Sequence, residues 1–499
     1  MAFVWADWNI STGAERVVLV KITYYDVSAA AEATLYVGSE VYYDSANDTL
    51  YENTIVDVPT LVFGTTSAEP GPVGVGIGNL VISNIDEKYD DLFDDSFYGR
   101  TIEFFVGPRG NAFADYQSVF KGQINNVVWE SGRTINIEVR DFLDKLNRQA
   151  QRNRFSSGGN MPTDMVDEVI PWGFGKIKQV TPVLVHDTDW LYQVSDGTVH
   201  DVMLNISADG VGIGATVDTE DNTNAQIGLN AEPTGEVTVN FHGDKPSGTL
   251  LEEMGDVLEE ILTRDDEDGV SILEAADVNS TAITNLNSDC TLDVEVWIDD
   301  DIFVIDLFQK LMPYGYLWGF NRAGEFVAQT LKDPSGETAT ETLNQSDILR
   351  NGLTVLEEIR PAWRVNCRYQ KNYSVITNFA TGASKSNRST MSRKFRKRDK
   401  KSTSAIKTTH KNARRLIYDL QASGGVGGAS EEVARVFDLY SVRRRVYQIQ
   451  AWAKPLSFDV GDIVTVTFPR YNLDAGVDLV FIGAENKLNS GVVTAYFWG

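Results

Sequence analysis

The feature that most constrains this chain is the regular alternation of short Val-, Ile-, Thr- and Tyr-rich runs with turn clusters. Residues 16–24 and 33–43 are such runs, and the second closes on Asp44-Ser45-Ala46-Asn47-Asp48. Others follow at 78–85, 101–106, 118–129 and 134–140. Short strands at even spacing leave each segment too short to fold alone, so they predict a sandwich or barrel over residues 1–150. Asp141 then caps a short helix over 142–149 as the chain leaves that unit. The pattern returns at the other end, at 445–452, 463–468, 479–485 and 492–497.

Between these ends the pattern changes. Residues 151–162 have an Arg, Asn, Ser and Gly composition that reads as a linker, and 163–245 read as a loop-rich β insertion. From Ser247, the residues Leu250, Leu251, Met254, Val257, Leu258, Ile261 and Leu262 recur at three- and four-residue spacing with glutamates between them, predicting an amphipathic helix. A second helix is expected over 303–312, after Asp299-Asp300-Asp301 and before Pro313 and Gly315. Asn321-Arg322-Ala323-Gly324 between two apolar runs predicts a hairpin. Beyond it we expect a strand over 363–369, a helix over 406–420, a break at 424–428 and a helix over 430–440.

At 499 residues the chain exceeds what one core can organise. We divide it into a first tube-like β domain (1–150), the β insertion (151–245), an α+β middle domain (246–352) and a second tube-like β domain (353–499) that carries a basic arm (385–415). The expected class is mainly β with an α+β middle, two tube-like β-barrel or sandwich domains bracketing smaller mixed domains.

Charge is strongly segregated. The net charge is −27, yet residues 385–415 hold thirteen Lys and Arg against one acid, Asp399, which leaves −39 for the remainder. Arg393, Lys394, Arg396, Lys397, Arg398, Lys400 and Lys401 form the densest part and are the candidate interaction residues. A basic segment on an acidic body suits docking on an acidic neighbouring subunit, facing an anionic polymer such as DNA, or plain solvation. With only Phe395 interleaved, it lacks the aromatic ladder of a single-strand binder. With no apolar periodicity, it reads as an arm mobile in the free subunit.

No complete catalytic or cofactor constellation is legible, so an enzyme is not expected. The runs 74–78 and 210–214 alternate Gly with Val or Ile but lack the Lys and helix start of a phosphate cradle. Placing Gly269 at the sixth position of a calcium loop puts Arg264 and Ala275 where acids are required. Of four histidines, His186 and His200 have acidic neighbours, Asp187 and Asp201, but none sits in a metal motif. Cys290 and Cys367 read as buried thiols. No cofactor, metal site or membrane anchor is expected, and the N-terminal stretch lacks the basic start of a leader. Trp5, Trp8, Trp172, Trp190 and Trp318 leave open a carbohydrate-binding adhesin or a cell-wall hydrolase on a β scaffold.

Several stretches resemble one family. Phe120-Lys121-Gly122-Gln123-Ile124 followed by 135–141 is similar to the end of the first β domain of tail-tip and baseplate hub proteins of tailed phages. Residues 178–185 and 192–197 are similar to that family's next module. The helices, the hairpin 317–326 and the run 456–467 resemble its later parts. The resemblance implies a homotrimer whose paired β domains form a pseudo-sixfold ring. Such a ring joins a tail tube and distal tail ring to a tip spike or central fibre, beside a tape measure protein, with DNA passing through its lumen. It implies a virion protein assembled in the host cytoplasm and no catalytic residues. A distal tail protein, a sixfold ring, is the alternative among virion proteins.

Overall fold

The computed structural model describes residues 8, 11, 14–67, 69, 71–130, 133–157, 161–422 and 428–499. It is mainly β, with 45% strand and 17% helix, as the short β-branched runs require.

A nine-stranded sheet holds most of the first 140 residues, in the order Tyr42–Asp44, Thr49–Asn53, Ala31–Gly38, Arg16–Asp26, Thr101–Pro108, Gln117–Glu130, Thr134–Arg140, Leu80–Ser83, Ile55–Asp57. The stretch Val17–Val20 of its strand Arg16–Asp26 is apolar without alternation because both faces are covered there. Val18, Val20 and Ile22 enter the main core, while Val17 and Leu19 pack with Tyr51, Phe105 and Tyr116 on the other side. The expected strand over 33–43 is broken after Gly38 and resumes at Tyr42.

The second large sheet, of ten strands, draws on three distant stretches. Its main path runs Phe326–Thr330, Tyr316–Phe320, Pro72–Ile77, Thr60–Gly64, Val477–Lys487, Val492–Trp498, Arg444–Trp452, Ile348–Ile359, with Ile463–Val466 joining Val477–Lys487 to Glu341–Leu343. Inner residues of the two sheets, among them Phe104, Phe120 and Ile135 from one and Phe63, Ile449, Phe481 and Phe497 from the other, share one core. The divisions at 150 and 352 therefore do not coincide with the sheets. Residues 60–77 belong with the C-terminal strands, and so do the hairpin and residues 341–359, because backbone pairing between distant segments leaves no local trace in sequence.

Close backbone approach fixes that pairing. Gly64 sits opposite Gly483 with φ of +92°, and a Cβ there would fall 2.1 Å from the Ile482 carbonyl oxygen. The glycine-alternating run at 74–78 lies largely in the thin strand Pro72–Ile77. Asp141 accepts from Leu143 N–H at the start of the single 3-10 turn Phe142–Leu146, and also from Val75 N–H at 2.9 Å.

The insertion is a small sandwich. Lys176–Val180, Val237–Asp244, Val199–Ala208 and Val211–Gly212 form one four-stranded sheet; Val183–His186, Leu191–Gln193, Gln226–Leu229 and Val217–Asp221 form the other. Its core includes Trp297 from the middle segment, whose Nε1–H donates to the Val194 carbonyl at 2.8 Å. The expected linker is not free where it is described: Phe155 is buried, Gln151 donates to Ile170 O at 2.8 Å, and Arg152 pairs with Asp266 at 2.7 Å. Residues 158–160 lie outside the described residues.

The two expected middle helices span Met254–Thr263 and Val304–Leu311. The acids before the second do not cap it, and Asp301 instead pairs with Arg154. A third helix, Ser280–Asp289, was not legible, since it buries only Ile283 and Leu286; the Asn279 side chain caps it by accepting from Ala282 N–H. The expected helix 406–420 is a single turn, Ile406–Thr409, followed by a strand, Arg414–Asp419. The last helix runs Gly428–Tyr440, and most of the expected break before it lies outside the described residues.

Gly64→Ala combines an unfavourable φ with a backbone clash, so it is expected to destabilise the fold by about 3 kcal/mol. A urea unfolding midpoint equal to that of the parent would contradict this account of the pairing.

Candidate interaction surface and the buried charges behind it

The basic segment is a strand in a sheet rather than an arm. Phe395–Ser402 pairs antiparallel with Ala362–Lys371, which pairs parallel with Arg414–Asp419. Alternate residues Val365, Cys367, Leu416 and Tyr418 are buried, and the helix Gly428–Tyr440 packs on this sheet. Directly paired residues share a face. The opposite face therefore carries the rows Arg415, Arg364, Ser402; Ile417, Asn366, Lys400; and Asp419, Arg368, Arg398. Arg398, Lys400, Ser402, Arg415 and Ile417 are exposed. Five cations and one acid thus occupy one side of three short strands, and Arg368 grips that acid, Asp419, in two bonds of 2.5 and 2.8 Å.

The seven candidate cations separate. Arg393, Lys394, Lys397, Arg398 and Lys400 are exposed. Lys401 turns toward the helix, pairing with Asp438 at 2.8 Å and lying 5.3 Å from the Phe437 ring centre. Arg396 points into the protein, where its Nε donates to Asn372 Oδ1 at 2.6 Å. Buried Asn372 also donates to the Arg393 and Thr390 carbonyls at 2.6 and 2.8 Å, and the Gln179 side chain donates to Met391 O at 3.3 Å. These bonds pin the start of the strand through distant partners, which the absence of apolar periodicity in the segment does not reveal. Arg364 and Arg368 were missed as partners; the alternation Arg364-Val365-Asn366-Cys367-Arg368 was the signal that could have found them.

Behind the sheet lies a buried carboxylate. Glu295 is 1% exposed, and neither of its oxygens accepts a hydrogen bond. Burial pushes its carboxyl up from an ordinary value near 4.5 to about 8, against the opposing pull of Lys178 and Arg396. Burial lowers both cations in turn. The three groups come from the insertion, the middle segment and the basic strand, so they meet where three parts of the chain join. Tyr373 reinforces the junction, donating to Glu295 O at 3.2 Å and accepting from Trp297 N–H at 2.9 Å.

Three other features bear on a binding role. A cleft of about 910 Å³ lies beside the hairpin, but Arg322 within it is already held by Leu456 O and Asp459, at 2.5 and 2.9 Å. The acidic run 265–268 serves as a turn: Asp266 accepts from the Asp268 and Val270 N–H groups and pairs with Arg152. Trp172 and Trp318 are core residues, 2% and 1% exposed, and Trp190 is partly buried, so they do not form an open sugar platform. Trp5 lies outside the described residues.

The raised Glu295 predicts a pH dependence. Between about 4.5 and 8 the folded state holds a proton there that the unfolded chain has released, so this group's contribution to stability falls as pH rises through that window. Glu295→Gln is expected to flatten the decline. Melting temperatures of both proteins across pH 5–9 that fall in parallel would contradict the assignment.

No protein-family model matches the chain, and no curated protein matches it. Solved structures give distant likenesses. A prophage tail protein, gp18, from Listeria monocytogenes EGD-e aligns over 97% of this chain and 94% of its own at 8% identity and a TM-score of 0.39. A tail protein from Neisseria meningitidis MC58 aligns over 97% of both chains at 9% identity and 0.41. A chain of the virion of a native gene transfer agent particle aligns over 70% of this chain and 86% of its own at 13% identity and 0.44. TM-scores below 0.5 at such identities establish neither a shared fold nor a shared function.

Proposed function

We propose that this chain is a structural hub protein of a phage tail tip or baseplate. In this reading three copies form a ring that joins the tail tube and distal tail ring to the tip spike or central fibre, and DNA passes through the lumen. The chain is not an enzyme in this reading, and its place is the virion, after assembly in the host cytoplasm.

The observation that carries the assembly role is the basic face of the three-stranded sheet. Arg364, Arg398, Lys400 and Arg415 stand together on it, while the chain outside 385–415 carries −39. Opposite charge on two surfaces of one chain makes those surfaces complementary between copies. The hub assignment itself rests on the resemblance of short sequence stretches. In keeping with it, Gln117–Glu130 pairs with Thr134–Arg140 and leads into the Asp141-capped turn. A tape measure protein and the distal tail ring are the partners this role requires. A sixfold distal tail ring is the second reading. An adhesin that uses Trp172 and Trp318 as a sugar platform is disfavoured, because both are buried.

Native mass at low and moderate salt tests the proposal. A trimer of 55.3 kDa chains that loosens as salt screens the charges is expected; a hexamer would favour the distal ring, and a persistent monomer would remove the docking argument. Four exposed ion pairs at about 0.5 kcal/mol each amount to roughly 2 kcal/mol per docking face. Replacing Arg364, Arg398, Lys400 and Arg415 by Gln should therefore weaken self-association roughly thirtyfold. Unchanged association would mean that this face does not dock on a second copy.

A further inference from the structure

Two of the chain's four histidines meet at one carboxylate in the insertion. Asp201 lies directly opposite His242 across the ladder between Val199–Ala208 and Val237–Asp244. Its Oδ2 is 2.8 Å from the Nδ1 of His242 and 2.8 Å from the Nδ1 of His200. Neighbours along a strand normally point to opposite faces, yet His200 and Asp201 bond to each other here. The ladder loses regular register between Asp201 and Asn205, just beyond this point. The two imidazoles lie with ring centres 5.7 Å apart.

We propose that His200, Asp201 and His242 bind one divalent transition-metal ion of the zinc class, linking the two central strands of the insertion sheet. Two imidazoles and one carboxylate are the donor set that borderline cations such as Zn²⁺ take, whereas Mg²⁺ and Ca²⁺ prefer oxygen alone. One ligand atom from each of the three residues lies within 4.8 Å of the others. Metal bonds of about 2.0–2.2 Å bring tetrahedral ligands to roughly 3.4 Å apart. Small side-chain rotations adjust the two 2.8 Å pairs and the imidazole–imidazole spacing to that distance, since His200 and Asp201 are 43% and 42% exposed. A carboxylate oxygen can only accept, so in the metal-free protein each Nδ1 carries a proton toward Asp201; a cation entering among the three residues replaces those two hydrogen bonds, each neutral ring moving its proton to Nε2 and turning its Nδ1 lone pair to the metal. By contrast His186 meets only Asp189, and its Nδ1 accepts the Asp189 N–H at 3.1 Å within a turn. Three protein ligands leave a fourth position open to water.

Calorimetric titration of the metal-free full chain with Zn²⁺ tests the site, with Co²⁺ absorption as a second readout of coordination geometry. One saturable equivalent is expected, with a tetrahedral Co²⁺ spectrum and no competition from excess Mg²⁺. His200→Ala, at an exposed position that should not disturb folding, is expected to weaken Zn²⁺ binding at least about tenfold. His242→Gln should do the same, with its melting curve checked for folding. Equal uptake by the parent and the His200→Ala variant would assign the binding to the acidic surface and overturn the proposal, as would the absence of any saturable equivalent. Neither result depends on the oligomeric state.

Discussion

The antiparallel pairing of Thr60–Gly64 with Val477–Lys487 is the contact on which the rest of the architecture depends. It sews an early strand into the centre of the C-terminal sheet, and through Pro72–Ile77 it extends that sheet to the hairpin. Once this seam exists, the two large sheets face each other and can exclude water from a common core, which is the dominant favourable term in folding. Gly64 and Gly483 permit it by letting two backbones approach where a side chain has no room.

That seam sets the limit of what the sequence discloses. Individual strands were legible, because a run such as 134–140 has to alternate to bury one face, and so were the helices at 254–263 and 304–311, whose apolar stripes are strong. Pairing partners were not, since 60–64 and 477–487 carry no mutual mark. The helix at 280–289 escaped because two buried residues make a weak stripe. Residues 414–419 were misread as helical because Arg414, Arg415, Leu416 and Ile417 suit either conformation; their pairing with Ala362–Lys371 decides it. The candidate surface was half visible: the cations were plain in composition, but which of them face outward depends on register. His242 could not be joined to His200 and Asp201 without the ladder that brings them together.

Such long-range closure also bears on how the chain folds. The strand Thr60–Gly64 emerges from synthesis long before its partner, so the first sheet's companion cannot form until the C-terminal strands arrive. Non-local β pairing of this kind folds slowly and leaves apolar surface uncovered meanwhile. The insertion, by contrast, closes its own core within residues 177–241, apart from Trp297 and the partly buried Tyr373.

Among the described residues, the strand Phe395–Ser402 ends its sheet with one side unpaired. A free edge is a template on which another strand can add, and so a route to aggregation. Lys397, Arg398, Lys400 and Lys401 along this edge would confront the same charges in an identical strand, and like charges directly opposed destabilise a ladder. The segment thus attracts acidic surfaces while refusing its own kind, which confines any assembly through it to side-chain contact and keeps the sheet from growing strand by strand into a fibre.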